Sequence, residues 1–420
     1  MTNIEKKSLI VAIFITSALF AYNATAPLLT AFFPSGAAFS IGIIRSFTVI
    51  SALLMLVFMS SRKIPTLLLW LTPYFIFRIA FLARMTENLI IQNLTFYLDM
   101  LTAYLVFFGF GLIPSVVAAK FATTFSQNHF AKCMNVLVII FALGLLLNFS
   151  VLFNPDAVRV GLYRINAISL TSTAIAFIFY LLIYLRHSKF NLQLAIVLLP
   201  ILIGAVVVSK SRGPLVGMFI AFFVYLTIAS PQNRKQLLIG SVLLAVLIYV
   251  GSLFFKVDII GLLLDRFFFS TNYSSDLDLS GASRLFLWNS AWNQFLEDPV
   301  IGRYISEQIS NYYPHNIVLE SLISMGVVGA ALLAIFVGTT TYAAFSILRD
   351  DFAFKPALFF IIIFYKELAE SMFSGNLIGN AELWITSCLI VAMHLAARMR
   401  SRKTQHSART RAGNAAAGVT

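Results

Sequence analysis

Three residues of this chain have the side chains and the neighbours for chemistry on an anionic substrate: Arg212, Arg284 and His315. A guanidinium offers a planar pair of N–H donors that matches phosphate oxygens and stabilises charge as it develops on them. Arg212 stands in Ser209-Lys210-Ser211-Arg212-Gly213-Pro214, where Pro214 suits the first turn of a new helix. The amino end of that helix would add its dipole to anion binding, and Gly213 would let the backbone approach closely. An interfacial anchor is the plainer alternative for Arg212. Arg284 opens a segment with Leu285, Trp288, Trp292 and Phe295 at helical spacing, which predicts an amphipathic helix on the outer surface of the membrane, capped by Ser280 or Ser283. Its tryptophan stripe reads as interfacial packing rather than as a sugar platform.

His315 follows Pro314 at the start of an apolar run, so a helix would hold it at the membrane boundary. A neutral imidazole there accepts the proton of an attacking hydroxyl, and nearby cations keep it neutral. The alternative is a capping or structural histidine. Asn316 would orient the imidazole or the acceptor, and Glu320, one turn further in, would fix the histidine tautomer or bind a cation. Lys210, Arg303, Arg78 and Arg45 are further candidates for binding the substrate.

The elements that must position these residues are membrane helices. The chain is 60% hydrophobic and 11% charged, with a mean hydropathy of +0.89, far from a soluble domain. Continuous apolar runs favour an all-α polytopic protein over barrel strands. Twelve spans are expected, at 9–29, 39–59, 65–83, 95–118, 132–152, 165–185, 191–208, 214–230, 236–255, 316–346, 356–373 and 381–397. Pro27 directly after Ala24-Thr25-Ala26 argues against cleavage of the first run as a signal peptide. Residues 1–397 form one membrane domain, with a long polar loop at 256–315 between spans nine and ten. A basic, disordered tail follows from 398 to 420.

With both termini in the cytoplasm, eighteen of the thirty lysines and arginines lie inside and nine outside, as the positive-inside rule requires. The long loop, the 209–213 turn and His315 then face outward, into the periplasm of a bacterial inner membrane. This placement accounts for the net charge of +13 without a nucleic-acid partner. Cys133 and Cys388 have no ligand-like neighbours, so neither a disulfide framework nor a metal site follows. His129, His187, His394 and His406 fall near or beyond the cytoplasmic ends. Arg45, Arg78, Asp99, Lys366, Glu367 and Glu370 are ionisable residues inside spans, and a polar cavity opening outward would collect them. Lys366 and Glu370, four apart on one helix face, would equally serve to neutralise each other.

Taken together, Val208-Ser209-Lys210-Ser211-Arg212-Gly213-Pro214-Leu215, Ser283-Arg284-Leu285 with Trp288, Asp298-Pro299, Gly302, Pro314-His315-Asn316-Ile317-Val318-Leu319-Glu320 and Gly326 resemble the O-antigen ligase and polymerase superfamily. The resemblance covers about 190–346 by motif and the whole chain by span count. It implies an inverting glycosyltransferase of the C-type fold, free of cofactor and obligatory metal. Such an enzyme takes a glycan from undecaprenyl pyrophosphate to a sugar hydroxyl. The acceptor is a second lipid-linked repeat unit in the polymerase branch and lipid A core in the ligase branch. Pro-His-Asn followed by Glu320, with the Ser-Arg-Gly-Pro turn, looks more like the polymerase branch. A flippase or transporter of lipid-linked glycan is the competing reading; it would distribute charge along a path through both halves of the membrane.

Overall fold

The computed structural model describes residues 2–32, 37–59, 65–91, 104, 106–148, 167–185, 187–209, 211–228, 235, 239, 246, 282–309, 313–349 and 355–417, and only the backbone of some of these, Arg45, Arg212 and 401–417 among them. All described secondary structure is helical, as the continuous apolar runs require. The helices are α1 (Asn3–Phe32), α2 (Ala37–Phe58), α3 (Pro65–Ile91), α4 (Phe107–Phe121), α5 (Gln127–Leu147), α6 (Ala167–Tyr184), α7 (Lys189–Ser209), α8 (Arg212–Ile228), α9 (Ala282–Glu297), α10 (Ile317–Arg349), α11 (Lys355–Ser371) and α12 (Ala381–Ala417). Eleven of the expected spans coincide with a helix. The ninth, 236–255, lies outside the described residues apart from two isolated positions, as do the whole 256–281 stretch, Asp99 and Lys210.

Seven of these helices, α1, α3, α5, α6, α7, α10 and α12, are long and apolar enough to cross a bilayer, and α2, α4 and α8 contain shorter apolar segments. The protein is a polytopic membrane protein, and the distribution of its apolar side chains agrees. Leu68 and Leu69 on α3, Ile196 and Val197 on α7, and Val327 and Val328 on α10 all stand exposed on the bundle surface, an arrangement suited to lipid. The interior is aromatic. Trp384 of α12 is fully buried among the rings of Tyr74, Phe77 and Phe336, and Phe130 of α5 packs on Tyr180, Phe359 and Phe360. Local polar groups set the helix starts: Thr2 and Glu5 form a capping box on α1, Ser126 caps α5, and Ser188 caps α7.

One departure from regular helix matters for the site. It is a break in α10 at Gly326, whose φ of 63° and ψ of −159° lie outside helix space. The segment after α9 fills this break. Val327 and Val328 donate to the carbonyls of Pro299 and Val300, while Arg303 and Tyr304 donate to the carbonyl of Ile323. Gly302, at φ 64°, faces Gly326 so closely that a Cβ on either would overlap the other strand of backbone. Arg84 of α3 ties both sides together, donating to Ser324 and Ile301 carbonyls. The Asp298-Pro299, Gly302 and Gly326 motif is thus the seam that docks α9 onto α10.

In the 398–420 stretch, α12 is helical as far as Ala417. The alanines, arginines and lysines beyond Arg398 are strong helix formers, and they continue a helix already nucleated in the bundle.

Candidate functional site

His315 lies between the α9 segment and the start of α10, half-buried, with φ 55°. It is the only non-glycine residue with positive φ among the described residues. Such a conformation persists where surrounding contacts enforce it. Those contacts are visible on both sides. Before it, the Trp288 indole of α9 donates to the Pro314 carbonyl at 2.9 Å. After it, the Asn316 side chain accepts from the backbone N–H groups of Val318 and Leu319 and caps α10. The Tyr313 ring meets the imidazole edge-on, with centroids 4.4 Å apart.

The imidazole lies beside the backbone of Ser374, in the turn between α11 and α12, and that backbone favours its protonated form. Its Nδ1 is buried and has no hydrogen-bond partner among the described residues. Burial, and after it the Arg284 guanidinium, hold the imidazole below its ordinary value of 6.5, opposed in part by the Ser374 backbone. Burial and Arg284 thus favour the neutral imidazole.

Ser374 also meets the amino end of α8: a Cβ on Gly213 would stand 2.5 Å from Ser374 Oγ. One turn thereby brings together His315, the first residues of α8 that include Arg212, and, through Trp288 against Phe373, the helix that carries Arg284.

The same turn forms one wall of a polar cavity of about 250 Å³. Its lining includes Tyr313, Ser374, Asn376 and Asn380 with Glu367, Glu370 and Glu382. Lys366 bonds Ser172, Glu367 and, at 3.1 Å, Glu370. Ser172 also donates to Glu370 at 2.9 Å, and Glu382 accepts from Asn23 at 3.3 Å. Amides, hydroxyls and carboxylates in this mixture match the donors and acceptors of sugar hydroxyls. The mutual neutralisation expected of Lys366 and Glu370 is present. Of the six residues expected around a polar cavity, Glu367 and Glu370 line this one.

Other expected residues fall elsewhere. Arg78 is not in the cavity: it is fully buried, donating to the Leu377 and Phe107 carbonyls and packed over the Phe107 ring. Glu320 does not reach His315; its carboxylate accepts from the Leu377 N–H at 2.8 Å. Asn316 serves the α10 cap rather than orienting the imidazole, because helix N–H groups one turn on are its nearest donors. Arg303 is exposed beside the Tyr304 ring in the docking seam. Lys210 and the side chains of Arg45 and Arg212 lie outside the described residues.

The amphipathic helix forms, but its buried face is centred on Leu287, Ala291 and Phe295 against α10, leaving Leu285 and Trp292 exposed. Trp288 belongs to the site rather than to a lipid stripe. At the other end of the bundle, His129 bonds Ser8 and His187 bonds Gln127, remote from His315 as expected.

Ser374, Asn23, Ser172 and Glu382 were not anticipated. Glu382 was legible by the same rule as Lys366, since it stands two residues inside the last apolar run. The Ser374-Gly375-Asn376 and Gly379-Asn380 pairs are turn signals, though nothing local ties them to a histidine 59 positions earlier.

The chain matches no curated protein. Residues 197–334, which run from within α7 to within α10 and include Arg212, Arg284 and His315, match the O-antigen ligase family. This stretch is a domain of the O-antigen ligase family, whose business is the transfer of lipid-linked glycans.

Proposed function

We propose that this protein is an inverting glycosyltransferase that moves a glycan from undecaprenyl pyrophosphate to a sugar hydroxyl, and that it polymerises repeat units of O-antigen or a related surface polysaccharide. The observation that carries this reading is the meeting of His315, Arg284 and the first turn of α8 around Ser374, beside a polar cavity. The acceptor hydroxyl attacks the anomeric carbon from the face opposite the pyrophosphate, and its proton passes to the His315 imidazole. The bond from the anomeric carbon to the pyrophosphate oxygen breaks, and the electron pair leaves with that oxygen. Arg284 and Arg212, aided by the α8 dipole, receive the charge that develops there. Lys210, Arg45 and Arg303 are assigned to binding the donor or the growing glycan, and the carboxylates and amides of the cavity to its hydroxyls.

The balance of basic residues supports a periplasmic position for this site, in a bacterial inner membrane with both termini in the cytoplasm. There the membrane itself delivers an activated donor, and no nucleotide sugar is needed. A second reading, ligation of the glycan to lipid A core, is favoured by the description of the family matched at 197–334.

The deciding experiment uses purified protein in detergent with undecaprenyl-pyrophosphate-linked glycan and EDTA, with lipid A core in one reaction and no other acceptor in the second. Chain growth without added acceptor identifies a polymerase, and product only with lipid A core identifies a ligase. Folded protein that releases no undecaprenyl pyrophosphate from its cognate glycan in either reaction would return the chain to the transporter reading.

A further inference from the structure

We infer that Arg78 and Glu320 are a pair of positioning residues that hold the two backbone groups of Leu377 and, through them, the turn that aligns Ser374 with His315. Arg78 Nη1 donates to the Leu377 carbonyl at 2.8 Å, and Glu320 Oε2 accepts from the Leu377 N–H at 2.8 Å. The Trp384 indole donates to the same carbonyl at 3.3 Å. The guanidinium is held in turn by the Phe107 carbonyl at 3.1 Å and by the faces of the Phe107 and Trp384 rings, 3.9 and 5.2 Å from their centroids.

Neither side chain lines the cavity, and both are buried, at 0% and 1% exposure. They therefore act on the site through Leu377, three residues from Ser374. Donor and acceptor side chains grip one residue from opposite sides, so both of its backbone groups are satisfied at 2.8 Å and its position is fixed in two directions. They also join three parts of the sequence: α3 supplies Arg78, α10 supplies Glu320, and the turn belongs to α11 and α12. Two of these, α3 and the turn, lie outside the stretch that matches the family.

The inference rests on the proposed transfer reaction for its kinetic readout, so the test pairs kinetics with a measurement independent of it. Full-length Glu320→Leu, which removes the acceptor, is compared with Glu320→Gln, which keeps an oxygen of similar reach. Hydrogen exchange is followed in detergent over the peptide containing Leu377. Exchange there should quicken by about tenfold or more in Glu320→Leu and stay near wild type in Glu320→Gln. In the transfer assay, Glu320→Leu should lose about a hundredfold in kcat with donor KM nearly unchanged, and Glu320→Gln should recover most of it. Arg78→Lys against Arg78→Met repeats the comparison from the other side and serves if Glu320→Leu does not fold.

Unchanged exchange at Leu377 in the acceptor-less variant would overturn the clamp. Faster exchange with normal kcat would overturn its link to the site. A rise in donor KM at constant kcat would instead make these residues substrate contacts. Wild-type protein without transfer activity removes the reaction, and the exchange measurement then decides the clamp alone.

Discussion

Gly213 approaches Ser374 so closely that a single added methyl would meet the serine hydroxyl at 2.5 Å. The amino end of α8 and the turn beside His315 are therefore in direct contact, although 160 residues of chain separate them. In Gly213→Ala the Ser374 hydroxyl must rotate aside while its Cβ still stands 3.2 Å from the new methyl, so thermal stability should fall by about 1 kcal/mol. Combining it with Ser374→Gly, which clears the space, should restore stability. Unfolding in detergent followed by tryptophan fluorescence measures both, and a stable single variant would refute the close contact.

The three residues assigned to chemistry should fail in distinct ways. His315→Ala should reduce transfer by about 10²–10⁴-fold, the usual contribution of a general base. Arg284→Lys and Arg212→Lys should each lose about 10²-fold or more, because a point charge does not reproduce a bidentate fork. All three variants should insert into membranes at wild-type levels. Normal transfer by either lysine variant would dismiss the clamp on pyrophosphate.

The pH dependence of transfer follows from the environment of His315. The base acts when neutral, and burial together with Arg284 holds its value below 6.5. The acid limb of the rate profile should therefore lie below pH 6.5. Removing the positive charge stabilises the imidazolium, so in Arg284→Gln the limb of the residual activity should move to higher pH. A limb that stays in place would mean that another group is the base, or that the arginine is too far away to matter.

Lys366 balances two carboxylates in the cavity wall. Lys366→Met leaves them without a counter-charge and should cost about 3–5 kcal/mol, as breaking a buried pair does. Adding Glu370→Gln should recover part of that loss. If thermal unfolding in detergent does not separate the single from the double variant, the pair is not the stabilising unit described here.

The limits of sequence reading show at particular residues. Pro314-His315-Asn316 announced the start of a helix, and the structure starts α10 at Ile317 with Asn316 as its cap. The amphipathic segment after Arg284 formed, yet its buried face turned toward Leu287 and Ala291 because α10 offered Leu319, Leu322 and Ile323 as partners. Arg78 and Glu320 met the rule that intramembrane charge faces a polar interior. Both are held by the backbone of Leu377, and Arg78 by that of Phe107 as well.

By itself the sequence determined the membrane class, eleven helices at apolar runs and the motif set around Arg212, Arg284 and His315, because hydropathy, proline and cap signals act over a few residues of neighbouring chain. Only the tertiary structure decided that Ser374 joins His315 to α8, that Glu382 and Asn23 share a cavity with Glu370, and that Gly302 and Gly326 form a docking seam. Those relationships depend on which helices pack together and at what depth, and long-range packing leaves no periodicity in the chain.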